Sequence, residues 1–233
     1  MRWIKSSNIQ KGEYRMNKKL FKGLFALVAL VGAALACSLP GGGPIIQDDF
    51  EGSDTNWGLL TDAESSIEYL DGGLRMALFG ENFVLSSTPD EEIYENVHIE
   101  VTVKNNVTDD ATAFGIICNQ QQPITDSHYY FAITSSGDYA IAKAALAFDD
   151  VFLTNDDEWG TSDVIAQNAD SYRLGADCGN GKLTLYVDGQ EIASVSDSTY
   201  TNGSVGLFLW TGAGVTTADI TYDDFVMTKL EPQ

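Results

Sequence analysis

Residues 97–104 constrain the fold most. Val97, Ile99, Val101 and Val103 alternate with His98, Glu100, Thr102 and Lys104, a period of two that only a strand with one buried face satisfies. Leu183, Leu185 and Val187 alternate with Thr184, Tyr186 and Asp188 in the same way. Asp188-Gly189 then leads into a return run, Glu191–Val195, and Asp-Gly between two strands is a strong hairpin signal. Asn180-Gly181 and Ser136-Gly137-Asp138 mark further turns. Similar short runs are expected at 66–70, 74–78, 82–86, 129–134, 139–143, 204–210 and 218–229. Helical periodicity is nearly absent. Lys143–Phe148 fits a short helix or a strand continuation equally, and 149–169 is expected to be a long surface loop with short strand pieces. About a dozen short strands separated by turns predict an all-β, two-sheet sandwich with no linker inside it.

The N-terminal segment obeys other rules. Lys18, Lys19 and Lys22 precede an uncharged run from Gly23 to Ala36. Fourteen helical residues rise about 21 Å, short of a hydrocarbon core of about 30 Å. The basic start, apolar stretch and small residues at its end predict a secretory signal over 1–36, with Met16 the better start. Ala34-Leu35-Ala36-Cys37 resembles the lipobox of bacterial lipoproteins, which implies lipidation at Cys37, although Ala34 stands where Leu is commonest. An ordinary signal cleaved after Ala-Leu-Ala is the alternative. Residues 37–46, with Pro40-Gly41-Gly42-Gly43-Pro44, fit a flexible tether, giving a protein anchored to a membrane on its outer side rather than spanning it.

Export bears on the other cysteines. In an oxidising compartment Cys118 and Cys178 are expected to form one disulfide, with two buried free thiols as the alternative. Neither has a CxxC or a His neighbour at zinc-ligand spacing. The charge is lopsided too. Residues 1–36 carry seven of the 13 basic residues and one acid, leaving six basic and 33 acidic residues, a net charge of −27, on 37–233. So negative a surface repels phosphate backbones and argues against a nucleic-acid partner.

The order of motifs adds a resemblance. Asp48-Asp49-Phe50-Glu51 and Trp57 open the domain, and Ile220-Thr-Tyr-Asp-Asp224-Phe225-Val226 closes it. Between them stand Gly72-Gly73-Leu74, Tyr129-Tyr-Phe-Ala-Ile133, Leu183-Thr-Leu-Tyr-Val-Asp-Gly189 and Gly203-Ser-Val-Gly-Leu-Phe208. Over residues 47–230 this resembles the concanavalin A-like lectin/glucanase jelly roll, including laminin-G-like modules and the 3-keto-disaccharide hydrolase domain. The resemblance implies fold firmly and chemistry weakly.

Catalytic signatures are sparse. Glucanases of this fold carry Glu-x-Asp-x-Glu on one strand, which suits the paired carboxyl groups of a glycosidase. No such triplet occurs here. Glu91-Glu92-Ile-Tyr-Glu95 and Asp156-Asp157-Glu158 lack the spacing or the strand context, and are expected to be solvated charge runs. His98 and His128 lie on strands and are expected to be ordinary surface histidines, with acid/base work the alternative. Nucleophile elbows and phosphate-cradling glycine loops are both missing.

Two constellations remain. Asp48, Asp49 and Asp224 lie on terminal strands that pair in the resembled fold, whose modules often hold a structural calcium there. The alternative is edge strands protected by charge. Phe208 and Trp210 share one parity of a strand whose other parity, Val205, Leu207 and Leu209, is also apolar. One set is expected to pack the core and the other to line the concave sheet, where Trp210, with Tyr130 and Tyr186, would stack on sugar rings; filling a second sheet is the alternative. The expectation is a lipid-anchored carbohydrate-binding module. A hydrolase of the 3-keto-disaccharide type and a purely structural surface domain stand as alternatives.

Overall fold

A computed structural model describes residues 43–52, 57–122, 127–145 and 148–231, within one unit spanning 41–233. Cys37 and the signal segment lie outside the described residues. Sixteen strands, numbered in chain order, form two antiparallel sheets, and no helix occurs among the described residues. The nine-stranded sheet runs β14 (Gln190–Ser196), β13 (Lys182–Val187), β12 (Ser171–Gly179), β6 (Val97–Val107), β16 (Ala218–Lys229), β4 (Gly73–Leu78), β3 (Ser65–Leu70), β2 (Leu60–Thr61), with β1 (Ile46–Asp48) also paired to β16. The seven-stranded sheet runs β10 (Val151–Phe152), β9 (Asp138–Ala144), β8 (His128–Thr134), β7 (Thr112–Gln120), β15 (Ser204–Thr211), β5 (Val84–Ser87), with β11 (Gly160–Thr161) on β9.

The period of two places each side chain. Val97, Ile99, Val101 and Val103 of β6 are buried, whereas His98, Glu100 and Thr102 are half-buried on the sheet's outer face. Asp188 and Gly189 take φ 51° and 75°, the left-handed pair a two-residue hairpin requires, and close β13 onto β14. Asn180 and Gly181 do the same between β12 and β13. The Lys143–Phe148 run continues as strand only to Ala144, and the stretch from 149 to 169 is a connection holding only the two-residue strands β10 and β11.

Two ties join the layers, and a third fastens the opening segment of the domain to its closing strand. Cys118 of β7 and Cys178 of β12, both fully buried, form a disulfide between the sheets with Cα atoms 6.5 Å apart. Its span of 60 residues stabilises the fold by about 4 kcal/mol in the chain-entropy account. Tyr222 of β16, also fully buried, reaches across the core. Its hydroxyl accepts the Gly115 N–H at 3.0 Å and donates to the Phe208 carbonyl at 2.7 Å. Trp57 packs against Phe50 at 5.4 Å and edge-on against Phe225 at 5.1 Å between ring centroids, and its indole N–H donates to Asp48 Oδ2 at 2.8 Å. The opening and closing motifs of the sequence are therefore one packing cluster.

Candidate functional site

The seven-stranded sheet has two apolar faces, and only one can meet the core. On β15, Val205, Leu207 and Leu209 point inward, leaving Phe208 and Trp210 outward. On β7 the inward set is Phe114, Ile116 and Cys118, so Ala113 and Ile117 face out. On β8, Tyr129, Phe131 and Ile133 are core, while Tyr130 and Ala132 face out. The outward set forms a second apolar cluster, joined by Trp159 from the connection between β10 and β11.

That cluster floors and walls a groove of about 770 Å³, within the range of small-molecule sites. Its floor is low because the residues are small: Ala113, Ala132 and Ala144 line it, and Gly115 pairs with Phe208 across β7 and β15. A Cβ on Gly115 would fall 1.8 Å from the Phe131 carbonyl oxygen and 3.2 Å from the Phe208 ring, so glycine is required there. Phe208, 5% exposed, makes the base, and Tyr130 stands edge-on to it at 5.7 Å. Trp210, Tyr130 and Trp159 are half-buried, each with surface left for a ligand. Phe152 tilts against Trp159 at 5.7 Å, and Phe148, 79% exposed, also lines the groove.

Polar groups reach the same space. Tyr130 donates its hydroxyl to Asp150 Oδ2 at 3.0 Å. Burial, and then the Asp150 charge, push the Tyr130 phenol far above its ordinary value, so it remains a donor. His128 lies 6.2 Å from the Tyr130 ring. Gln120 also lines the groove, following Asn119, which takes φ 51°. The β7–β15 register shifts between Ser204 and Gly206, opposite this end of β7. Bulges of this kind re-aim side chains beside functional sites. Glu91, from the run expected to be merely solvated, is exposed and contributes to the rim.

The sequence candidates separate. Trp210 and Tyr130 share the groove. Tyr186 does not: it lies on the outer face of the opposite sheet, across from Gly175, and donates to Asp177 Oδ2 at 2.8 Å. It belongs to a polar ladder in which Asp177 Oδ1 lies 2.6 Å from His98 Nδ1, and Arg173 spans Glu100 Oε2 at 3.0 Å and the Asp224 carbonyl at 2.8 Å. The hydrogen bond to Asp177 raises the His98 pKa, burial opposes it, and Glu100 adds to the rise.

The acidic termini separate as well. Asp48 pairs in register with Phe225, one residue from Asp224, but its two oxygens accept the Phe50 N–H at 2.8 Å and the Trp57 indole N–H. Asp49 Oδ1 accepts the Glu51 N–H at 3.2 Å. No group of three or more His, Cys, Asp or Glu side chains among the described residues converges to hold a metal. In this arrangement the buried Asp48 carboxylate serves the Phe50 N–H and the Trp57 indole.

Sequence reasoning missed Phe148, Asp150, Phe152 and Trp159. The available signal was three aromatics within an acidic connection that has no core of its own to fill. Asp157 is exposed, as expected of a solvated charge run, and also accepts the Phe152 N–H at 2.8 Å, folding the turn in which Asn155, Asp156 and Asp157 all have positive φ.

No protein-family model matches the sequence, and no curated protein is similar to it. Solved structures do resemble it. The carbohydrate-binding module CBM66 from Bacillus subtilis superposes with a TM-score of 0.59 at 11% identity, covering 75% of this chain and 96% of the module. A Bacillus subtilis protein of unknown function with a galectin-like fold gives 0.59 at 11% identity, over 81% of this chain and 97% of that one. A Bacillus licheniformis β-glucanase gives 0.52 at 16% identity, over 83% and 100%. With two antiparallel sheets and these likenesses, the chain has the jelly-roll sandwich of the concanavalin A-like fold.

Proposed function

We propose that the protein is an extracytoplasmic carbohydrate-binding module, anchored to a membrane through Cys37, whose site is the outer-face groove of the seven-stranded sheet. The observation that carries this is the set of half-exposed rings, Trp210, Tyr130 and Trp159, around a floor of alanines and Phe208. A flat apolar ring stacks on the apolar face of a pyranose, while Asp150 and His128 on the same groove lie beside its hydroxyl groups. Stacking and hydroxyl hydrogen bonds gain little over water, so one site binds at about 10 μM to 1 mM. Many copies on one membrane raise the effective concentration and hold a polymer firmly. The disulfide and the predicted signal support an oxidising environment.

A glycan array with the purified protein tests the reading, scored for both retention and product release. Retention without release is expected. Release of sugar would favour a hydrolase, for which Glu91, Asp150 and His128 on the groove are the available acid/base groups. Silence in both would leave a structural domain. Cys37→Ser is expected to shift the protein from the membrane fraction to the soluble one, and an unacylated wild-type protein by mass spectrometry would contradict the anchor.

A further inference from the structure

We infer that the groove is selective for a glycan bearing free ammonium groups, an amino-sugar oligomer, over neutral and acidic sugars. The inference rests on the carbohydrate reading and concerns only which sugars the groove prefers.

Charge is sorted between the two sheets. The charge-bearing side chains that line the groove are Glu91, Asp150 and His128; no Lys or Arg is among the described residues lining it. Yet residues 37–233 hold six basic residues. Three of them lie on the nine-stranded sheet in ion pairs: Arg75 with Asp219 at 2.6 Å, Lys104 with Asp223 at 2.6 Å, and Arg173 with Glu100 at 3.0 Å. Lys143 is held by Asp197 at 3.1 Å and Thr199 at 2.9 Å. Lys182 and Lys229 sit on β13 and β16, also of the nine-stranded sheet. The six basic residues of 37–233 thus lie away from the groove, and Glu91 and Asp150 face it without a lining Lys or Arg to oppose them.

The walls act in the same direction. Aromatic rings carry negative faces, and a cation within about 6 Å of a Trp or Tyr ring is attracted to them. Trp210, Trp159 and Tyr130 offer three such surfaces, and Tyr130 is tied to the Asp150 carboxylate. An ammonium on a stacked sugar ring therefore meets a ring face and a carboxylate together. A uronic acid polymer meets the same groups with the wrong sign, and a neutral sugar gains the stacking alone. The domain's field also concentrates cations around it before contact.

The test compares a glucosamine oligomer with its N-acetylated counterpart of equal length by calorimetry, below the pKa of the sugar amines. At low salt the free amine form is expected to bind about five- to tenfold more tightly, as two exposed ion contacts and a ring face supply. At about 0.5 M NaCl, where screening shortens the range of exposed charges to a few ångströms, that ratio should approach one. Glu91→Gln with Asp150→Asn should lower the ratio at low salt to the share that the ring faces supply, about twofold; both sites are exposed, so the fold is kept, which an unchanged melting curve verifies. Equal or weaker binding of the amine form, with the N-acetylated sugar still bound, overturns the inference and leaves the carbohydrate reading intact. A lysine oligomer that binds as tightly as the amino sugar also overturns it, since the groove would then be a general cation surface. Failure of every sugar to bind overturns the carbohydrate reading itself.

Discussion

Tyr222 ties the core to the floor of the groove, and removing one oxygen tests that tie. The ring is fully buried, and its hydroxyl lies 3.0 Å from the Gly115 nitrogen and 2.7 Å from the Phe208 carbonyl oxygen. Tyr222→Phe keeps the ring and its packing but takes away the acceptor for the Gly115 N–H and a donor to Phe208. Stranding a buried polar group costs about 1–3 kcal/mol, because water cannot replace the lost partner. In a domain of this size each kcal/mol lowers the melting temperature by about 2–4 °C, so a drop of roughly 2–12 °C is expected. Thermal unfolding followed by near-UV circular dichroism measures it. A urea titration should show a lower midpoint with an unchanged slope, the sign of lost native stability rather than an altered unfolded state. Melting within about 1 °C of wild type would refute the tie, because even the smallest unsatisfied-group cost exceeds that shift.

Other perturbations have predictable signs. Replacing Cys118 and Cys178 together by Ser is expected to cost about 2–5 kcal/mol, read as a lower urea midpoint that reductant reproduces in the wild type. The Asp197 carboxyl would be raised by burial, but hydrogen bonds from Tyr129, Thr199 and Lys143 outweigh this and hold it well below the usual range. Its stabilisation is present above the unfolded pKa near 4 and is lost as pH falls through the lower folded value. Asp197→Asn should therefore flatten the acid limb of stability against pH, and an unchanged limb would contradict the account. His98 has the opposite sign: its pKa is raised by Asp177, so its contribution is full below about 6.5 and lost as pH rises through the folded value. His98→Gln should remove that loss, though the 30% exposure of the side chain keeps the effect small.

Much of the architecture was legible because a half-buried strand writes its two faces into sequence. β6 and β13 could be placed by alternation alone, and Asp188-Gly189 fixed a hairpin because few other residue pairs tolerate two left-handed positions. Trp210 and Phe208 were marked by a strand apolar on both parities, which a single core face does not require. What escaped has a physical cause. Tyr186 sits on a strand that alternates, but alternation does not say which sheet a strand joins, and strand pairing put Tyr186 on the sheet opposite Tyr130. Trp159 and Phe152 lie in a connection whose position depends on strands β10 and β11 pairing with the edge of β9, a long-range event without local periodicity. Asp48 illustrates a third limit. The resemblance marked a carboxylate on the first strand of the sandwich, but only packing shows that Trp57 takes it.

The most direct test of the account is the affinity of one retained glycan for the wild type, for Trp210→Ala and for Tyr186→Ala, measured by calorimetry on proteins with matched melting curves. Trp210 is half-buried on the outer face, so its loss should leave the core intact and weaken binding tenfold or more, about 1.4 kcal/mol per decade. Tyr186, on the other sheet, should leave affinity unchanged. Full affinity in Trp210→Ala, or its loss in Tyr186→Ala, would place the ligand elsewhere than the groove and contradict the account.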